Sequence, residues 1–93
     1  MAHLDVAALV GSGRELTDET DLFFALGMMH AVGSSADLVS AHKWFNLAAM
    51  RGHEEARRWR GEIAAEMSAA QIAAAQRAAR EWLEREMPTA RAA

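Results

Sequence analysis

The stretch AHKWFNLAAMRGHEEA, Ala41 to Ala56, sets two large rings, Trp44 and Phe45, among the small side chains of Ala41, Ala48, Ala49 and Ala56. Leu38, Ala41, Phe45, Ala48 and Ala49 recur at the spacing of one helical face. Ser34, with Asp37 three residues on, offers a capping-box-like start. Gly52 supplies the stop, since glycine takes positive φ without steric cost. Interiors are close-packed, so a face that alternates tiny and bulky side chains expects a partner shaped to it. The alanines thin the helix where a neighbour comes near, and the rings fill the space beside them.

Working outward, the upstream segment LTDETDLFFALGMMHAVG predicts a helix from Thr17, as N-cap, to about Val32, ending at Gly33. Asp18, Glu19 and Asp21 fall in its first turn, where carboxylates complement the helix dipole. LFFALGMMHAV is apolar nearly all round, which suits a helix wedged between two neighbours better than a bundle helix with a polar stripe. Gly27 in its middle costs about 1 kcal/mol relative to alanine, so another backbone is expected to pass close there. Before it, Leu4 to Val10 reads as a short helix stopped by Gly11-Ser12-Gly13.

Downstream, HEEARRWRGEIAAEM forms a third helix entered at His53, with Ala56, Trp59, Ile63 and Met67 on one stripe. Ser68 and Gln71 form a capping box for a fourth helix. Its stripe is Ile72, Ala75, Ala79, Trp82 and Leu83, and Pro88 marks its end. The apolar faces of these helices repeat at helical spacing and strand formers are scattered, so the fold class is all-α. Short loops join the helices, which favours antiparallel sequential neighbours. A compact bundle and two stacked hairpins both fit, and the apolar character of the Phe23 helix favours the stacked hairpins.

The bulk composition limits the chemistry. A chain of 93 residues makes one domain. Cysteine is absent, which removes disulfide staples, zinc ribbons and thiol catalysis. The net charge of −3 gives no global attraction to nucleic acid or anionic membrane. The run from Leu22 to Val32 is about half of the ~20 residues a spanning helix needs, and MAHLDVAALVG has no basic leader. A soluble, cytoplasmic protein is expected. Lys43 is the single lysine among ten basic residues, an arginine bias that points to a high-GC bacterium.

Gly27 and Gly61 lie 34 residues apart, the period of tetratricopeptide-type helical repeats. Leu26-Gly27, His30, Gly33, Asp37, Ala41, Trp44, Ala48-Ala49, Gly52 and Ala56 together resemble the Sel-1-like repeat, a branch of that class. The likeness covers roughly residues 22–61. His30 stands where the pattern has a tyrosine, the loop after Gly33 is short, and Arg60-Gly61 replaces a leucine-glycine pair in the second unit. The resemblance implies a short α-solenoid of stacked helix-turn-helix hairpins. Residues 1–16 would then be an N-terminal capping segment, 17–52 the repeat hairpin, 53–87 a degenerate capping hairpin and 88–93 a tail. It also implies a scaffold or adaptor that binds other proteins, without enzymatic activity.

In such folds the first helix of each hairpin lines the concave surface. With Leu26, Gly27 and His30 turned to packing, Phe24 and Met28 would be more exposed, and 34 residues on stand Arg58 and Glu62. These four are the candidate partner-binding residues, with simple core packing as the alternative for Phe24 and Met28. His3, His30, His42 and His53 show no i,i+4 pair on one helix and no HExxH unit, so no metal site is expected. His30 and His42 are close enough in the pattern to approach across a hairpin, where a packing role is expected of them. RRWR, Arg57 to Arg60, interleaves arginine with Trp59 as nucleic-acid-stacking segments do. Trp59 falls on the apolar stripe, however, and Glu54, Glu55 and Glu62 surround the arginines, as on a solvated, salt-bridged face. No catalytic residue and no cofactor are expected. The partner is another protein or, because a single repeat leaves its stacking surfaces open, a further copy of this chain.

Overall fold

The computed structural model describes residues 19–33 and 36–86. Among these residues every regular element is a helix: α1 (Glu19–Ala31), α2 (Leu38–Met50), α3 (Glu54–Ala64) and α4 (Ala69–Glu86). The helix expected at Leu4 to Val10, its Gly11-Ser12-Gly13 stop, the Thr17 and Ser34 caps, His3 and the Pro88 stop lie outside the described residues. No helix among the described residues is long and apolar enough to cross a membrane.

The helix ends follow from local chemistry. Asp37, in extended conformation, caps α2: its Oδ1 accepts from the Ser40 N–H at 3.1 Å, and the Ser40 hydroxyl donates to Oδ2 at 2.8 Å. The helix therefore begins at Leu38, one turn later than a start at Ser34 would place it. At the other end Gly52 takes φ +92. The His53 N–H donates to the Ala48 carbonyl at 3.2 Å and the Gly52 N–H to that of Ala49 at 2.9 Å. This is the paired 6→1 and 5→2 bonding of a Schellman motif, with glycine at its left-handed position. His53 then opens α3 directly, its Nδ1 accepting from the Ala56 N–H at 3.0 Å. At α4 the Ser68–Gln71 box forms as expected: the Gln71 N–H donates to Ser68 Oγ at 3.1 Å and the Ser68 N–H to Gln71 Oε1 at 2.8 Å.

The packing centres on α2. It makes extensive contacts with α1, α3 and α4, whereas α3 and α4, consecutive in the chain, each pack on α2 more than on one another. Among the described residues the helix flanked by neighbours is thus α2, not α1 as its all-round apolar sequence suggested. The small residues explain how one helix accepts three partners. Ala41 and Ala48 are wholly buried and Ala49 nearly so, as are Ala56 on α3 and Ala75 and Ala79 on α4.

Aromatic rings fill the spaces beside these close approaches in two groups. Phe23, Trp44 and Trp82 join α1, α2 and α4, with centroid separations of 5.6, 5.1 and 5.9 Å. Phe24, Phe45 and Trp59 join α1, α2 and α3, with Phe45 5.8 Å from Phe24 and 6.1 Å from Trp59. Successive residues Phe23 and Phe24 therefore serve different neighbours, which is why α1 carries apolar side chains over so much of its circumference.

Gly27 is a close-approach position, but a ring approaches it rather than a backbone. A Cβ at Gly27 would lie 2.6 Å from the Phe45 ring, which is itself wholly buried. Gly61, 34 residues on, is exposed and faces open space. The two glycines share a spacing and not a packing role.

Candidate partner-binding face

One face of α3 carries Glu55, Arg58, Trp59 and Glu62, spaced i, i+3, i+4 and i+7, so all four point the same way. Together they line a cavity of ≈ 390 Å³. A second hollow of ≈ 410 Å³ adjoins it, lined by Glu54, Glu55, Arg57 and Arg58. The second hollow is bordered entirely by exposed charged side chains. The first has an aromatic wall, and it is the better-built of the two.

Trp59 is the residue that gives the first cavity its shape. It is half-buried, where its place on the apolar stripe suggested full burial. Its ring is nearly parallel to Phe45, with an interplanar angle of 20°. Phe45 is pinned in turn between Gly27 and Phe24. A chain of rings thus runs from the core to the cavity, and the exposed part of Trp59 is held in place at little entropic cost.

Of the four candidate partner-binding residues, the structure brings Arg58 and Glu62 together at this cavity. Phe24 and Met28 do not line it. Both are half-buried and packed against the core. The exposed apolar side chains of the α1 segment are instead Leu22, Met29 and, just past the helix, Val32. Phe24 has a structural task of its own: it stacks on the His53 imidazole at 4.5 Å and 18°. His53 Nε2 also lies 3.9 Å from Asp21. One imidazole thus caps α3 through Nδ1 and faces the Asp21 carboxylate with its other nitrogen.

The RRWR segment divides by role. Arg57 pairs with Glu54 at 3.5 Å on the exposed surface. Arg58 makes no ion pair with Glu54 or Glu62 among the described residues, although the i,i+4 spacing allows both. Arg60 turns inward and donates to Asn46 Oδ1 on α2 at 2.7 Å. Beside it His42 is 3 % exposed, with Nδ1 lacking a hydrogen-bond partner. Burial, and secondarily the Arg60 charge, hold this imidazole below the ordinary histidine range. Asp37 is also held below the ordinary carboxylate range, chiefly by the Ser40 backbone N–H and then by the Ser40 hydroxyl.

The His42–Asn46–Arg60 arrangement is a feature that motif reading missed. The available signal was the i, i+3, i+7 spacing of His42, Phe45 and Ala49, which places His42 on the packed face. Nothing comparable marked the bond from Arg60 to Asn46, because that contact crosses between helices.

The remaining structural positions of the repeat-like pattern are mostly in or beside the core. Leu26 and Trp44 are half-buried, Gly27, Ala41, Ala48, Ala49 and Ala56 are buried, and Gly33 and Gly52 adopt positive φ. Among the described residues no three His, Asp or Glu side chains come together as a metal-binding group. No family model, curated protein or solved structure matches this chain.

Proposed function

We propose that this protein is a non-enzymatic protein-interaction module, a small adaptor of the Sel-1-like repeat type, which engages its partner through the α3 face. The observation that supports this reading is the cavity walled by Trp59 and rimmed by Arg58, Glu55 and Glu62. An aromatic anchor held from behind, with both signs of charge around it, matches the composition of protein-recognition surfaces. A bacterial source belongs to the same proposal, supported by the bias to arginine among the basic residues, and a cytoplasmic setting is part of it as well.

The test is site-specific photocrosslinking in the native host, with the crosslinker at position 62 and, as a control, at exposed position 77 on α4. A discrete adduct from position 62 that disappears in an Arg58→Glu background supports the reading. Equal labelling from both positions, or an adduct untouched by Arg58→Glu, overturns it.

A second reading, self-association, is favoured by a different observation. Leu22, Met29, Val32 and Met50 are 38, 49, 36 and 59 % exposed. Light scattering across a concentration series separates the two, since a strict monomer at every concentration sinks the second.

A further inference from the structure

Ala25 is 1 % exposed, yet it stands outside the core cluster that Phe23, Phe45 and Leu47 help to form. It lies two residues from Phe23 and two from Gly27, the positions of α1 that meet Trp44, Trp82 and Phe45. At the pitch of an α-helix its methyl is about 160° around from each. α1 makes its extensive contact with α2. α3 approaches the flank of α1 that carries Asp21 and Phe24, through His53. Leu22 and Met29 neighbour Ala25 on the flank away from both helices, and they are 38 and 49 % exposed. An alanine on an open helix face keeps much of its surface, as Ala70 and Ala73 of α4 do. A methyl with exposed side chains beside it is closed only by chain that passes directly over it, and alanine is the residue that lets such a chain come closest.

We propose that residues 1–18 turn back over α1 and seat Leu4 to Val10 on the face formed by Leu22, Ala25 and Met29. Reach and chemistry both favour this occupant. Residues 1–18 lead directly into α1 at Glu19. The stripe from Leu22 to Met29 is about 10 Å long, and residues 11–18 alone reach about 26 Å when extended, ample for a reversal of direction. Leu4, Val6, Leu9 and Val10 supply large apolar side chains, and Ala7 and Ala8 among them are small enough for close contact at Ala25. Residues 87–93, at the other end of the chain, carry Met87 as their one large apolar side chain. Burying the apolar stripe of α1 against such a segment is favourable in proportion to the area removed from water. α1 is then held between two neighbours, as its all-round apolar sequence suggests. The face on which a second copy would associate is closed from within the chain, which leaves the α3 face to a partner.

The chain has no cysteine, so an introduced pair is the sole pair of thiols. The test uses the full-length protein with Ala7→Cys combined with Leu22→Cys or with Met29→Cys, treated with a short bis-maleimide. Ala7→Cys with Ala70→Cys on α4 is the comparison. At least one α1 pair should link within a single chain roughly tenfold or more faster than the comparison pair, because docking raises the effective concentration of one thiol at the other. Linking no faster than the comparison overturns the proposal. So does a product joining two chains, which would make a second copy the occupant. Linking of Thr89→Cys to the α1 positions in place of Ala7→Cys overturns it as well, since residues 87–93 would then be the cover. A single Ala25→Cys gives a separate check. Its thiol should react with a small maleimide roughly tenfold or more slowly than that of Ala70→Cys, because a covered group reacts only when its cover opens. Equal rates overturn the proposal.

Discussion

Gly27 and Gly61 are the same residue in the same kind of element, 34 positions apart, yet they respond to opposite pressures. Alanine at Gly27 would set a methyl 2.6 Å from the ring of Phe45, which is wholly buried and has nowhere to retreat. Overpacking of this kind costs about 1–3 kcal/mol, against a gain of about 1 kcal/mol from helix propensity. Gly27→Ala should therefore lower the urea midpoint. Gly61→Ala meets open space and should raise stability by roughly 0.5–1 kcal/mol. Measuring both midpoints under one set of conditions checks the pair of signs, and like signs would contradict the packing described. Asp37 makes a second prediction at this scale. Its carboxylate is held below its ordinary 3.8 by Ser40, so the stability it supplies is complete above that pH and is lost as pH falls through its lower folded value. Asp37→Asn should flatten this acid limb, measured as thermal stability between pH 5 and 2 at fixed ionic strength.

At the scale of the element, α2 carries the fold because small residues let three helices reach it. Ala48 is wholly buried at this meeting point, while Ala70 on α4 is exposed. Ala48→Leu should destabilise by about 1–3 kcal/mol or more, and Ala70→Leu should be close to neutral in the same denaturation assay. Caps give a second check. Ser68→Ala removes the acceptor for the Gln71 N–H and should cost about 1 kcal/mol. His53→Asn keeps a capping acceptor but loses the ring stacked on Phe24. It should therefore lose less than His53→Ala, which loses both. The caps at Ser68 and the glycine stop at Gly52 were legible in sequence because their partners lie within three to five residues. The start of α2 was not. Ser34 and Asp37 are both competent caps, and the choice depends on how the chain leaves α1, where the Asp37 N–H donates to the His30 carbonyl at 2.8 Å. The exposed half of Trp59 was missed for a related reason. Helical spacing tells which face turns inward, but how far the neighbouring helix extends over that face is decided elsewhere in the chain.

For the whole molecule, the described helices leave Met29 and Met50 about half exposed. If these side chains form an interface between copies, Met29→Glu should convert an associating species to monomer while leaving the unfolding midpoint of the monomer nearly unchanged. Light scattering and denaturation on the same samples check the two halves of that statement. The candidate site shows the same division between local and global information. Arg58 and Glu62 fell on one face because they are four residues apart on one helix. Phe24 and Met28 were grouped with them by a 34-residue equivalence, and the structure places these two against the core instead. Helical periodicity, the caps of the later helices and the side chains small enough for close approach could all be read from the residues alone. Those properties rest on interactions within a turn or two of the backbone. Packing between helices made α2 the shared neighbour, put a ring rather than a backbone in the space at Gly27, enclosed His42 and joined Arg60 to Asn46. Each of these is a contact between helices, whose energy depends on which surfaces meet and not on the spacing within either one.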